Sequence, residues 1–345
     1  MLLWFFLFFQ IFRIRSFINQ KLFFLYILSL LYILMIKNNS EFKPTNITKV
    51  TKGIKNITNY INIAYGFDNI YYYIAHVSMK SIMLNQNENT FIKFFILVHE
   101  SIYNEQKEII DKICYEHINC NISYILMKDE FKEISPVGVI KRTTAMYYRL
   151  LLQNLIPNEK KILYLDCDTI IYKDLNEVYN YDITDKYYTG EKEGSSVNKY
   201  INTGALLVNL EYLRKDNISQ QIYDYLKKNN NTLILPVQDA ISAICNKKIG
   251  IFPENYISHG ICDSVNLPKI IKEKENNPQK IKDLKEPYIF HFKVHIKPWL
   301  GIGNDHDMIC YDFFPRFYEF AKKTCYYYEI LEKFKVTKDK AFIQT

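Results

Sequence analysis

The sequence predicts an α/β domain with a mostly parallel sheet and crossover helices, and two observations support this fold class. First, short apolar runs of strand length alternate with amphipathic runs of helix length from about residue 61 onward. Second, residues 162–165 form an apolar run without a polar break, which is typical of a strand buried on both faces. Because ligands bind at the carboxyl ends of parallel strands, we expect the functional site in the loops that follow the strands.

The predicted elements of the first half of the chain follow one another closely. In order they are strand 61–65, helix 71–83, strand 91–98, helix 103–115, strand 122–127, helix 143–155 and strand 162–165. Asp68 lies in the loop after the first strand. Helix 143–155 carries Arg149, and Pro157 ends it.

The second half of the chain continues the alternation. Residues 200–210 are predicted to form a strand with Asn202 and Gly204 near its start. Residues 211–228 are predicted to form a helix. A further helix begins at residue 236 and carries Gln238, and a later strand ends at His291. Residues 268–287 are rich in charge and read as a solvated loop. The aromatic, Lys-rich tail from residue 312 is predicted to be helical and peripheral to the core.

Composition excludes several classes of protein. The 345 residues are 48% hydrophobic, which is ample for a core. The net charge is +7 without a dense basic cluster, which fits a phosphate-bearing ligand or a membrane surface and argues against nucleic acid. The 7 cysteines include no Cys-x-x-Cys pair, so zinc-site spacing is absent.

Residues 1–36 differ in style from a globular domain. The segment 22–36 is apolar except for Ser29, but a helix of this length spans only about 22 Å of a hydrocarbon core about 30 Å thick. Extension back to residue 17, with Lys21 reaching the interface, predicts a single membrane span that is not cleaved. The alternative is that translation starts at Met35. Residues 37–60 are polar and read as a linker or stem.

Two carboxylates follow the apolar strand 162–165. Asp166 and Asp168 are separated by Cys167, and strand side chains alternate with period two, so both carboxylates are predicted to point the same way. Adjacent carboxylates repel each other, and a divalent cation relieves that repulsion. The alternative interpretation is a polar turn after a strand, since Asp is common there.

The ligand types indicate which cation would bind. Magnesium and manganese both take few protein ligands and complete their shells with substrate phosphate oxygens. A distant imidazole would favour manganese, and His291 is the candidate because it lies at a strand end. The alternative for His291 is a histidine that is simply satisfied within the core.

Several motifs together resemble the retaining glycosyltransferases of family 8, a group that includes lipopolysaccharide galactosyl- and glucosyltransferases and glycogenin. The matching blocks occur in order across residues 61–299. They are AYGFDN, TAMYYRLLL with YLDCDTIIYKDL, INTGALLVNL, VQDAI and HFKVHIKPW. The resemblance does not extend to residues 1–60 or to the tail.

The resemblance implies a fold and an activity. The family fold is the GT-A fold, a nucleotide-binding, mostly parallel sheet with a small acceptor-side sheet, which would occupy residues 61–300 and leave residues 301–345 as a helical tail. The implied reaction is the retaining transfer of a hexose from a UDP-sugar to a glycan or glycolipid acceptor. The implied cofactor is Mn²⁺, with Mg²⁺ as the alternative ion.

The resemblance also implies roles for individual residues. Asp166, Asp168 and His291 would hold the metal. Arg149, Asn202 and Gln238 would act in catalysis, with Gln238 behind the anomeric carbon. The donor would be bound by all three of these and by Asp68, Tyr71, Asp166, Gly204 and Lys297.

Three positions depart from the family pattern. Val237 stands where the family has an Asp that holds donor-sugar hydroxyls, Ile70 where an Asn is common, and Val294 where a Gly precedes the diphosphate-binding Lys. These departures leave open a second function, a catalytically weak UDP-sugar-binding protein of the same fold. A nucleotidyltransferase is a third interpretation, but the loop GFDN is a poor phosphate-binding loop.

The expected location depends on the source of the chain. Arg13, Arg15 and Lys21 precede the apolar segment, which places the N-terminus in the cytosol. The catalytic domain would then be in the Golgi lumen of a eukaryote. In a bacterium it would lie at the cytoplasmic face of the inner membrane.

Overall fold

The structure is a computed structural model that describes residues 56–68, 71–134, 143–194, 199–229, 232–259, 287–293, 297–300 and 314–334. The strands of these ranges are β1 (Asn59–Gly66), β2 (Thr90–His99), β3 (Cys120–Met127), β4 (Lys161–Leu165), β5 (Thr169–Ile171), β6 (Tyr188–Lys192), β7 (Ile201–Asn209), β8 (Ile249–Ile251), β9 (Ile257–Ser258) and β10 (Ile289–His291).

Seven of these strands form the central sheet, in the order β3-β2-β1-β4-β7-β6-β8. Among them β7 runs opposite to the others, because it is antiparallel to both β4 and β6. A second, smaller sheet has the order β5-β10-β9, in which β10 is antiparallel to β5 and parallel to β9. The predicted mostly parallel sheet and the additional small sheet are therefore confirmed.

The core lies on both faces of the central sheet. On β4, Leu163 and Leu165 face one apolar cluster while Ile162 and Tyr164 face the other, and all four side chains are fully buried. Alternate residues of a strand point to opposite faces, so two cores need apolar residues at every position. The prediction of a strand buried on both faces is confirmed.

The α-helices of the described ranges flank this sheet. They are α1 (Tyr72–Asn85), α2 (Tyr103–Glu116), α3 (Leu152–Leu155), α4 (Asn176–Tyr179), α5 (Leu210–Lys215), α6 (Ile218–Asn229), α7 (Pro236–Cys245), α8 (Phe314–Ala321) and α9 (Tyr327–Lys333).

Local sequence specifies the start of α7. Pro236 takes its first position, and Asp239 accepts hydrogen bonds from the backbone N–H groups of Ile234 and Leu235 at 3.0 and 2.9 Å.

Two predicted helices differ from the observed elements. Most of helix 143–155 is a 3₁₀ helix, Thr144–Leu151, in which four consecutive residues from Tyr147 onward are buried. An α-helix with one apolar face would expose part of such a run. The predicted helix 211–228 is two helices, α5 and α6. Asn217 between them has φ of 49°, in the left-handed region that interrupts a helix.

The C-terminal helices pack against the core, so the prediction of a peripheral tail was wrong. Phe317 and Ala321 of α8 belong to the same buried cluster as Trp299. The rings of Trp299 and Phe317 lie 5.0 Å apart between centroids. Ile330 of α9 belongs to the same cluster, so both helices are attached to the core.

The expected anchor at residues 1–36, most of the expected linker and most of the charged loop 268–287 lie outside the described residues. Within the described ranges, every helix is too short or too polar to cross a membrane.

Candidate active site

A cavity of about 460 Å³ opens beside the ends of β4, β7 and β10. Charged, polar and apolar residues all line it. They are Tyr71, Met146, Arg149, Asp166, Glu193, Asn202, Thr203, Gly204, Leu235, Val237, Gln238, His291, Lys293 and Lys297. The cavity therefore contains most of the residues that the sequence pointed to.

The small sheet brings His291 to the carboxylates of the Asp-x-Asp motif. β10 pairs with β5 so that His291 lies opposite Thr169, and the backbone N–H of Phe292 donates to the carbonyl of Asp168 at 2.8 Å. His291 Nε2 lies 3.2 Å from Asp168 Oδ1 and 3.9 Å from Asp166 Oδ2. One ligand atom from each of these three residues lies within 4.8 Å of the others.

The Asp-x-Asp motif is a turn between two strands. β4 ends at Leu165 and β5 begins at Thr169, so strand alternation is not what brings the carboxylates together. The turn is fixed by a hydrogen bond from Asp166 N to Gly204 O at 2.6 Å and by Thr169 Oγ1 donating to Asp166 O at 2.9 Å. The convergence was predicted correctly, but for a different reason.

Gly204 makes room for the imidazole of His291. An ideal Cβ at residue 204 would lie 2.1 Å from His291 Cε1, 2.6 Å from Nε2 and 2.7 Å from Nδ1. The ring thus packs directly on the backbone of β7. The resemblance assigned Gly204 to the donor, and the structure adds that only a glycine leaves space for the His291 ring.

The Asp166–Asp168–His291 cluster fits a divalent cation. Asp168 Oδ1 is buried and, among the described residues, accepts no hydrogen bond of normal geometry. Two carboxylates and an imidazole suit Mn²⁺ or Mg²⁺ in the presence of phosphate oxygens. Burial alone would raise the pKa of the Asp168 carboxyl, but Lys297 and His291 hold it well below its usual range. The carboxylate is therefore ionised and available as a ligand.

Lys297 is the cation closest to Asp168. Its Nζ contacts Asp168 Oδ2 and the carbonyl oxygen of Phe292, and the side chain is almost fully buried. An ammonium group beside the Asp166–Asp168–His291 cluster can also neutralise a phosphate that enters the cavity.

Arg149 supports the other carboxylate from the 3₁₀ helix. Its Nη2 donates to Asp166 Oδ1 at 2.6 Å, its Nη1 contacts Asp166 and the carbonyl of Thr203, and its guanidinium lies 4.4 Å from the ring centroid of Tyr164. Burial would lower the pKa of Arg149, but Asp166 and the other nearby acidic groups raise it overall. The residue is a fixed cation within a buried hydrogen-bond network.

Glu193 was missed by the sequence analysis, although it lines the cavity. Its Oε2 accepts hydrogen bonds from Gln238 Nε2 at 2.8 Å and Asn202 Nδ2 at 3.2 Å, and its Oε1 pairs with Lys293 Nζ at 3.0 Å. Burial would raise the pKa of Glu193, but Lys293 and the two amides lower it. The available signal was a carboxylate directly after β6, at a strand end that faces the site.

Of the other residues named in the sequence analysis, some line the cavity and some do not. Tyr71 lines the cavity, where burial and the nearby carboxylates raise its pKa strongly. Asp68 follows β1 and accepts a backbone hydrogen bond from Tyr71 at 3.2 Å, but it is absent from the cavity wall. Val237 is buried and lines the cavity. Ile70 and Val294 lie outside the described residues.

The arrangement can bind a divalent cation together with a ligand that carries phosphates.

The sequence model of "Glycosyl transferase family 8" matches residues 62–303. A putative glycosyltransferase of Haemophilus influenzae is 29% identical over 55% of this chain and 60% of its own length. General stress protein A of Bacillus subtilis is 28% identical over 46% of this chain and 59% of its own length. The chain thus spans about 60% of the length of these two relatives.

A longer match has a more specific name. Lipopolysaccharide 1,2-glucosyltransferase of Escherichia coli is 22% identical over 79% of this chain and 84% of its own length. Among solved structures, galactosyltransferase LgtC in complex with donor and acceptor sugar analogues has a TM-score of 0.61 at 17% identity, covering 77% of this chain and 96% of that one. The bifunctional glycosyltransferase WbbM has a TM-score of 0.63 at 15% identity, covering 79% and 51%. These structures share the GT-A fold with this chain.

Proposed function

The chain belongs to glycosyltransferase family 8. From this premise we propose that it is a glycosyltransferase, a retaining enzyme that moves a hexose from a UDP-sugar to a glycan or lipopolysaccharide-type acceptor. We propose Mn²⁺ as the ion held by Asp166, Asp168 and His291, with Mg²⁺ as the alternative. The observation that carries this proposal is the convergence of these three ligand atoms within 4.8 Å, with Asp166 and His291 lining the cavity.

The charges of the cavity suit a nucleotide diphosphate. Each of Arg149, Lys293 and Lys297 is paired with a carboxylate: Asp166, Glu193 and Asp168, respectively. A bound divalent cation would supply positive charge for the diphosphate leaving group. Lys297, beside the metal ligands, would donate to the same diphosphate and stabilise the charge that develops as the glycosidic bond breaks.

The remaining polar groups fit the sugar end of the donor. Gln238 and Asn202 line the cavity and hold their amides toward Glu193. A carbonyl oxygen such as that of Gln238 can face the positive charge that develops on the sugar ring in the transition state. Retention would follow if the acceptor enters on the face from which the diphosphate departs, with a phosphate oxygen taking the acceptor proton.

The test removes the metal ligands one at a time. Asp166→Ala and Asp168→Ala should each abolish transfer and the hydrolysis of a UDP-sugar, measured against a panel of UDP-sugars with Mn²⁺ and with Mg²⁺. Circular dichroism and thermal melting confirm that each variant is folded. Activity retained by both folded variants would refute the assignment of the metal site.

One observation favours a second candidate, a protein that binds a UDP-sugar without turning it over. Val237 puts an apolar side chain in the cavity wall beside Gln238, at a position where the family has a carboxylate for donor-sugar hydroxyls. Calorimetric titration with UDP and Mn²⁺, alongside the hydrolysis assay, separates the two candidates. Binding without turnover of any UDP-sugar would support the second.

A further inference from the structure

Glu193 is bonded to two amides that belong to different elements. Asn202 comes from β7 and Gln238 from α7, and both amide nitrogens lie within hydrogen-bonding distance of the single atom Glu193 Oε2. The other carboxylate oxygen is held by Lys293. Glu193 thus connects three separate parts of the cavity wall.

The chemistry of a carboxylate decides which way these amides face. An ionised carboxylate only accepts hydrogen bonds, so each amide must turn its NH₂ group toward it. Two hydrogen bonds fix the orientation of the Asn202 amide: its Nδ2 donates to Glu193, and its Oδ1 accepts from Gly204 N at 2.9 Å. For Gln238 the bond to Glu193 turns the carbonyl oxygen away from the carboxylate, on a side chain that lines the cavity.

We propose that Glu193 is a positioning residue that fixes the amide of Gln238 with its carbonyl oxygen directed at the donor sugar. Lys293 completes the arrangement by keeping the carboxylate in place and ionised through their 3.0 Å ion pair. Glu193 acts through Gln238 and needs no contact with the substrate. The role assigned to the carbonyl oxygen rests on the proposed function, whereas the orientation of the amide does not.

The orientation is tested by NMR, without any substrate. Protein labelled with ¹⁵N-glutamine gives a side-chain amide signal for Gln238, which Gln238→Ala identifies by its loss. Glu193→Gln keeps the shape but supplies a group that both donates and accepts, so the Gln238 signal should move by more than its linewidth. The matched control is Glu191→Gln, two residues earlier on β6, because Glu191 pairs with His259 at 2.7 Å and does not line the cavity. An unmoved Gln238 signal in Glu193→Gln overturns the proposal.

The kinetic test asks whether Glu193 acts through Gln238. Glu193→Gln should lower kcat about 10- to 100-fold and leave KM for the UDP-sugar within about twofold. In a Gln238→Ala background the same substitution should cost less than about twofold, because coupled residues do not contribute additively. Glu193→Asp, which still only accepts, should retain more activity than Glu193→Gln.

The outcomes separate this inference from the proposed function. Additive losses in the double variant, or equal losses in Glu193→Asp and Glu193→Gln, would mean that Glu193 is merely structural. A native protein that turns over no UDP-sugar would refute the proposed function, and the NMR experiment would still decide whether Glu193 orients the amide.

Discussion

Replacement of Gly204 by alanine tests how the proposed metal site is built. The new Cβ would lie 2.1 Å from His291 Cε1, whereas carbon atoms in contact are normally about 3.5 Å or more apart. The imidazole must therefore retreat by roughly 1.5 Å. Because metal–nitrogen bonds are only about 2.0–2.2 Å long, such a shift removes His291 from the ligand set. We expect metal affinity to fall about 10- to 100-fold, with a stability loss of about 1–3 kcal/mol from overpacking.

Metal affinity is measured by calorimetric titration of the protein with Mn²⁺ in the presence of UDP. Stability is measured by thermal unfolding. Gly250→Ala is a matched control, because its Cβ would meet Thr189 Oγ1 at 2.3 Å in the same sheet but away from the metal ligands. That variant should lose comparable stability and keep its metal affinity. Gly204→Ala should also add little to the loss caused by His291→Ala.

Two results would refute this reasoning. One is Gly204→Ala binding Mn²⁺ as tightly as the native protein while His291→Ala binds it weakly, which would show that the ring is free to move. The other is Gly250→Ala losing the same metal affinity as Gly204→Ala, which would show a general effect of destabilising the sheet.

Three further predictions address other parts of the molecule. Arg149→Lys keeps the charge but loses the bidentate contact with Asp166. Transfer activity should therefore fall by about tenfold or more in steady-state assays. An unchanged rate would contradict the role of Arg149 in supporting the Asp166 carboxylate. Burial lowers the pKa of His76 from 6.5 to about 4, so the unfolded state takes up a proton first as the pH falls and stability is lost between these values. At roughly 1.4 kcal/mol per pH unit, the free energy of unfolding should fall by about 3 kcal/mol over this pH range, as measured by denaturant titration of the native protein. His76→Leu should remove most of this pH dependence. Deletion of residues 1–36 should move the protein from the membrane fraction to the soluble fraction after cell lysis, and a native chain that is already soluble would contradict the predicted anchor.

Local sequence was sufficient for the elements that bury a repeating pattern. β1, β2, α1 and α2 lie within two residues of their predicted bounds, because apolar periodicity is read from neighbouring residues alone. The 3₁₀ helix Thr144–Leu151 was not predictable in this way, since its consecutive buried residues are explained by what packs around it. The break at Asn217 depends on a single residue with positive φ, which the helical pattern on either side concealed.

The proposed metal ligands were predictable because each carries its own chemical signal: a carboxylate pair directly after a buried strand, and a histidine at the end of another. Glu193 gave a weaker signal, since it is a single carboxylate after a strand that the sequence analysis did not predict, and such a charged residue is ordinarily solvated. Its proposed role depends on tertiary packing, which brings the amides of Asn202 and Gln238 to the same oxygen of Glu193.

By itself the sequence determined the α/β class, the mostly parallel sheet, the family resemblance and the residue types needed for a cation and a diphosphate. The tertiary structure decided how those residues meet. The pairing of β10 with β5 places His291 over Gly204 and beside Asp168, and Glu193 connects β7 to α7. The physical reason is that periodicity and residue chemistry are local properties, whereas the contacts of a site join atoms far apart in the chain, and only packing sets their distances.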